Sequence, residues 1–176
     1  MILGAVLAGG QSSRFGSDKA DAELRGLTLL ERAIESLKAM CASVIVVGRE
    51  HASAPSVPDW PRAGMGPLGG IAGALRHADE QGFSGVLTCG VDSVALPKDL
   101  RECLDPAPAF VASQPVIGHW PTDTLPTIES ILQGDGRHSV IAFAKAIGAR
   151  DVQLAVKPDN INTPADLAAA ETRHDL

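Results

Sequence analysis

The sequence predicts an α/β fold with a mainly parallel sheet, and three observations support this prediction. Short apolar runs alternate with helix-like patterns along the 176 residues, as expected for parallel strands joined by crossover helices. Glycine and proline mark the junctions between these runs. The first apolar run, Ile2 to Leu7, leads into a glycine-rich segment, at the strand end where open α/β sheets bind ligands. The length suits one compact domain, residues 1–176, which can bury about 70% of its unfolded surface.

The first half of the chain contains three strand patterns and two helix patterns. Thr28 and Glu31 have the spacing of a capping box, and apolar residues at helical spacing follow them. The stretch from Gly48 to Met65 holds three prolines and no periodicity, which predicts a long functional loop or lid. The predicted elements are strands at Ile2 to Leu7, Val44 to Val47 and Val86 to Cys89, a helix from Leu30 to near Cys41, and a helix at Leu68 to Glu80 that contains Gly69, Gly70 and Gly73.

The second half continues the alternation with shorter elements. Thr163 precedes Pro164 and Asp166, which predicts a capped helix with proline at its first position and an acid beside its first-turn amides. The other predicted elements are a short helix at Pro97 to Leu104, strands at Ala109 to Ala112, Pro115 to Gly118 and Val152 to Val156, and helices at Asp123 to Gln133 and Val140 to Ile147.

The most distinctive segment is Leu7-Ala8-Gly9-Gly10-Gln11-Ser12-Ser13-Arg14-Phe15-Gly16-Ser17-Asp18-Lys19. Its glycines allow the backbone to approach a ligand closely, so that the N–H groups can form an anion nest. Two serines add hydroxyl donors, and Arg14 and Lys19 add positive charges that favour a polyphosphate ligand. The alternative is a glycine- and serine-rich surface turn. We assign catalysis to Arg14 and Lys19, and nucleotide binding to Leu7, Ala8, Gly9, Gly10 and Lys19.

Two better-known phosphate loops do not fit this segment. A P-loop has the pattern G-x-x-x-x-G-K-[ST], and no Lys-Ser or Lys-Thr pair follows Gly9 or Gly10 at the required distance. A dinucleotide-binding fingerprint has the pattern G-x-G-x-x-G, and no glycines between Gly4 and Gly16 fit it. A Walker ATPase and a Rossmann oxidoreductase are therefore excluded.

Asp92 follows the third predicted strand in Thr88-Cys89-Gly90-Val91-Asp92. Because ligands bind at the carboxyl ends of such strands, we expect Asp92 and the glycine-rich loop to face one crevice. Mg²⁺ usually takes one or two protein carboxylates and completes its octahedron with water and substrate phosphates. Asp92 is therefore a candidate Mg²⁺ ligand, nucleotide contact and catalytic residue, with a turn or helix cap before Leu96-Pro97 as the alternative.

Composition excludes several classes of partner. The formal net charge is −6, and the chain has no tyrosine, two tryptophans and four phenylalanines, so it offers neither a basic surface nor stacking residues for nucleic acid. Its apolar runs are too short to span a membrane, and no basic residue precedes the first of them. Its three cysteines form no C-x-x-C pair. We expect a reduced cytoplasmic protein that binds neither nucleic acid nor membrane.

The glycine-rich loop resembles the L-A-G-G-x-S-x-R-[MF]-G-x-D-K loop of the molybdenum cofactor guanylyltransferases. This resemblance implies a single-domain, Rossmann-like, three-layer fold of the nucleotide-diphospho-sugar transferase type. It also implies Mg²⁺-dependent transfer of GMP from GTP to the phosphate of molybdopterin, with release of pyrophosphate. Other cofactor-biosynthesis proteins or molybdoenzymes would be further partners. Related cytidylyltransferases have L-A-A-G, so Gly9 favours a purine by resemblance.

Three more segments extend the resemblance, and each also permits a simpler interpretation. Gly66-Pro67-Leu68-Gly69-Gly70 is similar to the family's G-P-L-x-G segment, which implies a nucleotide contact at Gly66, or else a tight turn. Asp59 stands at the spacing of a nucleotide-contacting Asp, or else in an exposed turn. Asn160-Ile161-Asn162-Thr163-Pro164 is similar to the family's N-[IV]-N-T-P signature, which implies that Asn162 is a second metal ligand, although an Asx turn would explain one asparagine.

Two departures from the family pattern keep other functions open. Val94 replaces the proline of the family's C-x-x-D-x-P sequence, and Val47 stands where guanylyltransferases can have a base-contacting Asn. The alternatives are a nucleotidyltransferase that uses CTP or another phosphorylated acceptor, such as a sugar phosphate, and a non-catalytic homologue that binds a nucleotide or a protein partner.

Overall fold

The computed structural model describes residues 1–9, 18–51 and 53–172, and a seven-stranded sheet forms its centre. The strands lie in the order β10-β8-β9-β6-β1-β4-β5. β9 is antiparallel to both of its neighbours, and the other neighbouring strands pair in parallel. The strands of this sheet are β1 (Ile2–Leu7), β4 (Ser43–Val47), β5 (Ser56–Val57), β6 (Gly85–Gly90), β8 (Ala109–Val111), β9 (Gln114–Pro121) and β10 (Arg150–Val152). The predicted mainly parallel α/β sheet is confirmed.

Helices cover both faces of this sheet. One apolar core contains Leu3 and Ala5 of β1 and packs against the helices α2, α4 and α5, whereas Ile2 and Val6 of the same strand face a second core under α1 and α3. Burial on both faces explains why the central strands are continuously apolar. The helices are α1 (Leu29–Lys38), α2 (Gly66–Glu80), α3 (Leu100–Cys103), α4 (Leu125–Gln133), α5 (Val140–Ala146) and α6 (Pro164–Glu171).

Two small antiparallel pairs lie outside the main sheet. The strands β2 (Glu23–Leu24) and β3 (Leu27–Thr28) form a hairpin whose turn residues, Arg25 and Gly26, both have positive φ. The strands β7 (Ser93–Val94) and β11 (Asp159–Asn160) form the second pair. Val94 and Ile161 are buried together in a third apolar cluster, which also receives residues from α1 and α6. The β7–β11 pair therefore joins the end of the chain to the segment that follows β6.

Most predicted elements are confirmed, with boundary shifts of a few residues, but three predictions need correction. The strand expected at Val152 to Val156 ends at Val152, and β11 begins only at Asp159. The helix expected from Pro97 to Leu104 covers only Leu100–Cys103. The long loop after Gly48 contains β5, which extends the edge of the main sheet beside β4. For the two strand corrections, pairing with a distant segment decides the outcome.

The glycines inside α2 have a packing role. Added side chains would clash at two of them, because Gly69 lies against Met65 and the Trp60 carbonyl, and Gly73 lies against the Pro58 carbonyl. The Trp60 N–H also donates to the Gly69 carbonyl at 3.0 Å. The segment from 58 to 60 runs directly over α2, and only glycine fits at these contacts. These glycines lower the intrinsic helix propensity of α2. No helix within the described residues is both long and apolar enough to span a membrane.

Candidate functional site

The candidate site lies at the carboxyl ends of two adjacent strands in the middle of the sheet. β1 and β6 pair in parallel, with Leu7 opposite Gly90. Gly9 and Asp92 each follow this pair by two residues, so both leave the sheet at the same edge. Neighbouring strands lie about 5 Å apart, and the expectation that the loop and Asp92 face one crevice fits this register.

Three polar side chains from separate parts of the chain meet at this edge. The Lys19 ammonium donates to Asp92 Oδ2 at 3.2 Å and to Asn162 Oδ1 at 3.1 Å. The lysine side chain is only 11% exposed and the aspartate side chain 29% exposed, so the ion pair is partly shielded from solvent. We call Lys19, Asp92 and Asn162 the polar cluster. The structure thus brings together three residues that the sequence assigned to the site from three separate motifs.

A short clasp fixes the separation between Asp92 and Asn162. The clasp consists of the β7–β11 pair and the hydrogen bond from the Ile161 N–H to the Asp92 carbonyl, which is 3.0 Å long. Asp92 immediately precedes β7, and Asn162 stands two residues after β11. A side chain at Gly90 would meet Asp92 Oδ1, so the carboxylate would have to move from its present position.

The start of α6 orients the backbone at Asn162. The Asp166 carboxylate accepts from the Asn162 N–H at 2.9 Å and from the Thr163 N–H at 2.8 Å, while the Thr163 hydroxyl accepts from the Asp166 N–H. Hydrogen bonds from Asn162 and Thr163 hold the pKa of Asp166 below its usual value. The predicted capped helix is confirmed, and its capping box fixes the chain at Asn162.

Lys19 is held through its own short helix and through Arg49. A 3-10 helix at Lys19–Asp21 is capped by Asp18, whose carboxylate accepts from the Ala20 N–H at 3.1 Å. The Arg49 guanidinium lies 2.8 Å from Asp18 Oδ1 and 3.0 Å from Asp21 Oδ2. Arg49 lies two residues after the end of β4, a strand of the main sheet. It therefore anchors the Lys19 segment to the sheet.

A second group of residues surrounds the carboxylate of Asp59. Side chains added at Gly9, Gly48 or Gly70 would all approach this carboxylate, with Cβ-to-oxygen distances of 3.0 to 3.6 Å. We call these three glycines the glycine cradle. Burial raises the pKa of Asp59, although a hydrogen bond from the Gly64 backbone opposes the shift. Asp59 is thus a partly buried acceptor beside Gly9, where the sequence placed a nucleotide contact.

The neighbours of the cradle are backbone groups and apolar side chains. The Leu7 side chain lies against Gly70, and the Ala8 N–H donates to the Val47 carbonyl at 2.9 Å. Val47 itself is fully buried in the core, so its side chain is not available to a base. Gly66 has a φ of +69° and begins α2, whose N-terminal cap forms no side-chain hydrogen bond.

The remaining residues that the sequence singled out differ in what the structure shows of them. Gly10 and Arg14 fall within residues 10–17, outside the described residues. Val94 is buried in the clasp, opposite Asp159.

Sequence reasoning did not identify Arg49 as an anchor or Gly48 as part of the cradle. The position of Gly48 directly after a buried strand was the available signal, whereas the partners of Arg49 lie 28 or more residues earlier in the chain.

The polar cluster has the chemistry of a small cation site. Asp92 Oδ2 and Asn162 Oδ1 converge on one cation, the lysine ammonium. Carboxylate and amide oxygens are hard ligands of the type that Mg²⁺ uses, with water and phosphate completing its coordination. The two oxygens therefore fit a divalent cation.

Sequence comparison identifies relatives across nearly the whole chain. The model of the MobA-like NTP transferase domain matches residues 4–151. A protein of Acidiphilium cryptum named molybdenum cofactor guanylyltransferase is 36% identical, over 97% of this chain and 94% of its own length. A protein of the same name from Rhodobacter capsulatus is 35% identical, over 98% of this chain and 96% of its own.

Solved structures share the fold. Molybdopterin-guanine dinucleotide biosynthesis protein A from Archaeoglobus fulgidus has a TM-score of 0.76 and 21% identity, with 97% of each chain covered. The 2-C-methyl-D-erythritol 4-phosphate cytidylyltransferase from Thermus thermophilus has a TM-score of 0.65 and 16% identity, with 95% of this chain and 96% of that chain covered. The same architecture therefore occurs in proteins named for different bases and acceptors, and the choice between them depends on the site.

Proposed function

The chain belongs to the MobA-like NTP transferase family, among the molybdenum cofactor guanylyltransferases, and we propose that it transfers GMP from GTP to the phosphate of molybdopterin and releases pyrophosphate. The observation that carries this proposal is the meeting of Lys19 with Asp92 and Asn162 at the end of β1. Two relatives named for this activity match at 36% and 35% identity over almost the full chain.

We assign the metal ligands to Asp92 and Asn162. These residues would hold a divalent cation such as Mg²⁺, which would neutralise charge on the α-phosphoryl group and on the departing pyrophosphate. Lys19 donates to both proposed ligand oxygens in the nucleotide-free protein. With nucleotide bound, its ammonium would contact triphosphate oxygens instead.

The reaction does not need a general base. The acceptor phosphate is already ionised near neutral pH, so catalysis consists of aligning two polyanions and stabilising the charge that develops. Lys19, Arg14 and the amides of the glycine-rich loop perform this role. The net charge of −6 makes the local cations important, although charges beyond about 8 Å are screened at physiological salt.

We assign the recognition of guanine to Asp59 within the glycine cradle. Guanine presents two adjacent N–H donors, at N1 and at its 2-amino group, and a carboxylate accepts such a pair with both oxygens. Cytosine and adenine do not present this pair of donors. Side chains at the three glycines would come within 3.0 to 3.6 Å of the Asp59 oxygens, and the donor pattern of guanine supports GTP over CTP on chemical grounds.

Product analysis tests the reaction directly. The protein is incubated with molybdopterin, Mg²⁺ and each nucleoside triphosphate separately, and the products are identified by mass. In the incubation with GTP, we expect two products, a guanine dinucleotide and pyrophosphate. Turnover with CTP in place of GTP, or with a sugar phosphate in place of molybdopterin, would favour a nucleotidyltransferase of different donor or acceptor.

Thermal unfolding tests nucleotide choice without the acceptor. A ligand at about 100 times its dissociation constant stabilises the native state by about 2.7 kcal/mol, and each kcal/mol moves the midpoint by roughly 2 to 4 °C for a domain of this length. GTP with Mg²⁺ should therefore raise the midpoint by about 5 to 11 °C, and CTP by clearly less. Binding without turnover would favour a non-catalytic homologue.

A further inference from the structure

Gln114 makes two hydrogen bonds that the proposed chemistry does not use. It is the first residue of β9 and is half-buried. The Ser93 hydroxyl donates to its Oε1 at 2.8 Å, and its Nε2 donates to the Pro158 carbonyl at 2.7 Å. Both the acceptor and one donor of the side-chain amide are thus satisfied by other parts of the chain.

The two partners of Gln114 lie on the two arms of the clasp. Ser93 follows Asp92 directly and begins β7, and Pro158 immediately precedes β11. The β7–β11 ladder has only two residue pairs, Asp159 with Val94 and Asn160 with Ser93. Isolated two-stranded pairs are marginally stable in water. A side chain that ties both arms to the end of the main sheet therefore adds a constraint that the ladder alone lacks.

We propose that Gln114 is a positioning residue that sets the separation between the Asp92 carboxylate and the Asn162 amide by holding both arms of the clasp. The proposal rests on the assignment of these two side chains to the metal and nucleotide site. Metal sites depend strongly on such outer contacts, and their loss typically lowers metal affinity about 10- to 100-fold. Small displacements of positioned groups also slow catalysis strongly.

The side-chain amide explains why glutamine suits this position. The Ser93 hydroxyl needs an acceptor and the Pro158 carbonyl needs a donor, and one amide supplies both. In Gln114→Glu, the carboxylate still accepts from Ser93 but cannot donate to Pro158. In Gln114→Leu, both bonds are lost with similar side-chain volume. The two variants therefore release one arm or both arms of the clasp.

Hydrogen exchange tests the clasp without reference to activity. The Ile161 N–H donates to the Asp92 carbonyl, so its exchange rate reports whether the clasp is closed. Thr122→Val is the matched control, because it removes one side-chain bond, to the Phe83 carbonyl at 3.2 Å, near the opposite end of β6. We expect the Ile161 N–H to exchange at least tenfold faster in Gln114→Leu, less so in Gln114→Glu, and at the wild-type rate in Thr122→Val.

Mn²⁺ affinity and turnover complete the experiment. Mn²⁺ binding, followed by electron paramagnetic resonance, should weaken about tenfold in Gln114→Leu and remain unchanged in Thr122→Val. Equal exchange at Ile161 in Gln114→Leu and Thr122→Val, after correction for global stability, would overturn the proposal. Faster exchange together with unchanged Mn²⁺ affinity would also overturn it, because the clasp would then not control the ligands. If the wild-type protein lacks guanylyl transfer while both effects are present, the proposed reaction fails and the role of Gln114 stands.

Discussion

The polar cluster and the glycine cradle lie at the same edge of the sheet, yet they are constructed in opposite ways. The cluster consists of side chains that hydrogen-bond one another, with Lys19 between Asp92 and Asn162. The cradle consists of positions without side chains, where Gly9, Gly48 and Gly70 surround one carboxylate. Removing atoms should therefore damage the first region, and adding atoms should damage the second. If the proposed roles are correct, this contrast allows substitutions to separate catalysis from base recognition.

Asp92→Asn should have the largest effect, because it removes the charge that we propose holds the metal. Metal ions contribute several kcal/mol of charge stabilisation in such sites, so we expect turnover to fall by roughly 10² or more. The fold should survive, since the clasp bonds Asp92 through its backbone carbonyl. Steady-state rates at saturating Mg²⁺ measure the effect. Asp123→Asn is the control, because Asp123 is exposed and follows Pro121, which pairs with Gly85 at the start of β6, the end opposite to Asp92. Near wild-type turnover in Asp92→Asn would refute the metal assignment.

The polar cluster was predictable because each member carries a local sequence signal. Lys19 ends a glycine-rich loop, Asp92 follows a buried strand, and Asn162 precedes a capped helix. The signals in the sequence give positions along the chain, and the fold class then places strand ends together. Contact between the three side chains could not be read from the sequence, because it depends on β11, a strand of two residues.

The contacts of Gln114 and Arg49 show what the sequence does not contain. Gln114 forms hydrogen bonds with residues 21 positions before it and 44 positions after it. Neither Gln114 nor Arg49 belongs to a recognisable sequence motif. The strand expected at Val152 to Val156 fails for a related reason. Val152 and Leu154 do pack on the core beneath α1 and α3, but the chain leaves the sheet after Val152 in order to reach the clasp.

Lys19→Met tests the exchange of the ammonium for a metal ion. The variant should lose turnover by on the order of tenfold to a thousandfold, the range observed when one charge-stabilising group is removed. Mn²⁺ affinity of the nucleotide-free protein should not fall and is expected to rise, because the ammonium no longer competes for Asp92 and Asn162. Lys38→Met is the control. Lys38 is half-exposed, and in the part of the chain that the structure describes its ion pair is with Glu35 on its own helix. A parallel loss of Mn²⁺ affinity in Lys19→Met would show that the lysine supports the metal site instead.

Gly9→Ala tests the cradle by adding a single methyl group. The new Cβ would lie 3.2 Å from the Gly48 Cα, which is tight enough to shift the cradle backbone, and 3.4 Å from Asp59 Oδ2, in contact with the carboxylate that we propose binds guanine. A tenfold loss of GTP affinity removes about 1.4 kcal/mol of ligand stabilisation, which lowers the GTP-induced midpoint shift by roughly 3 to 6 °C. Gly136→Ala is the control, because its Cβ would meet nothing within 4 Å. An unchanged response to GTP in Gly9→Ala would remove the cradle from base recognition.

The smallest expected effect concerns His119. Its substitution should change how stability falls at acidic pH without changing how nucleotide binding depends on pH. His119 is buried in β9, close to the backbone of Gly85 at the start of β6, the end of that strand opposite to the site. Burial lowers its pKa, Asp105 at 3.4 Å opposes this shift, and Arg101 adds to it.

The sign of the pH dependence follows from proton binding in the two states. Below about pH 6.5, the unfolded chain protonates this histidine while the native protein resists protonation, so the unfolded state binds more protons. The free energy of unfolding should therefore decrease as the pH falls through and below this value. His119→Gln should have a shallower decrease, measured by urea unfolding at several pH values. GTP binding measured on the folded protein over the same range should be insensitive to His119→Gln, and a matching change in GTP affinity would mean that the far edge of the sheet is coupled to the cradle.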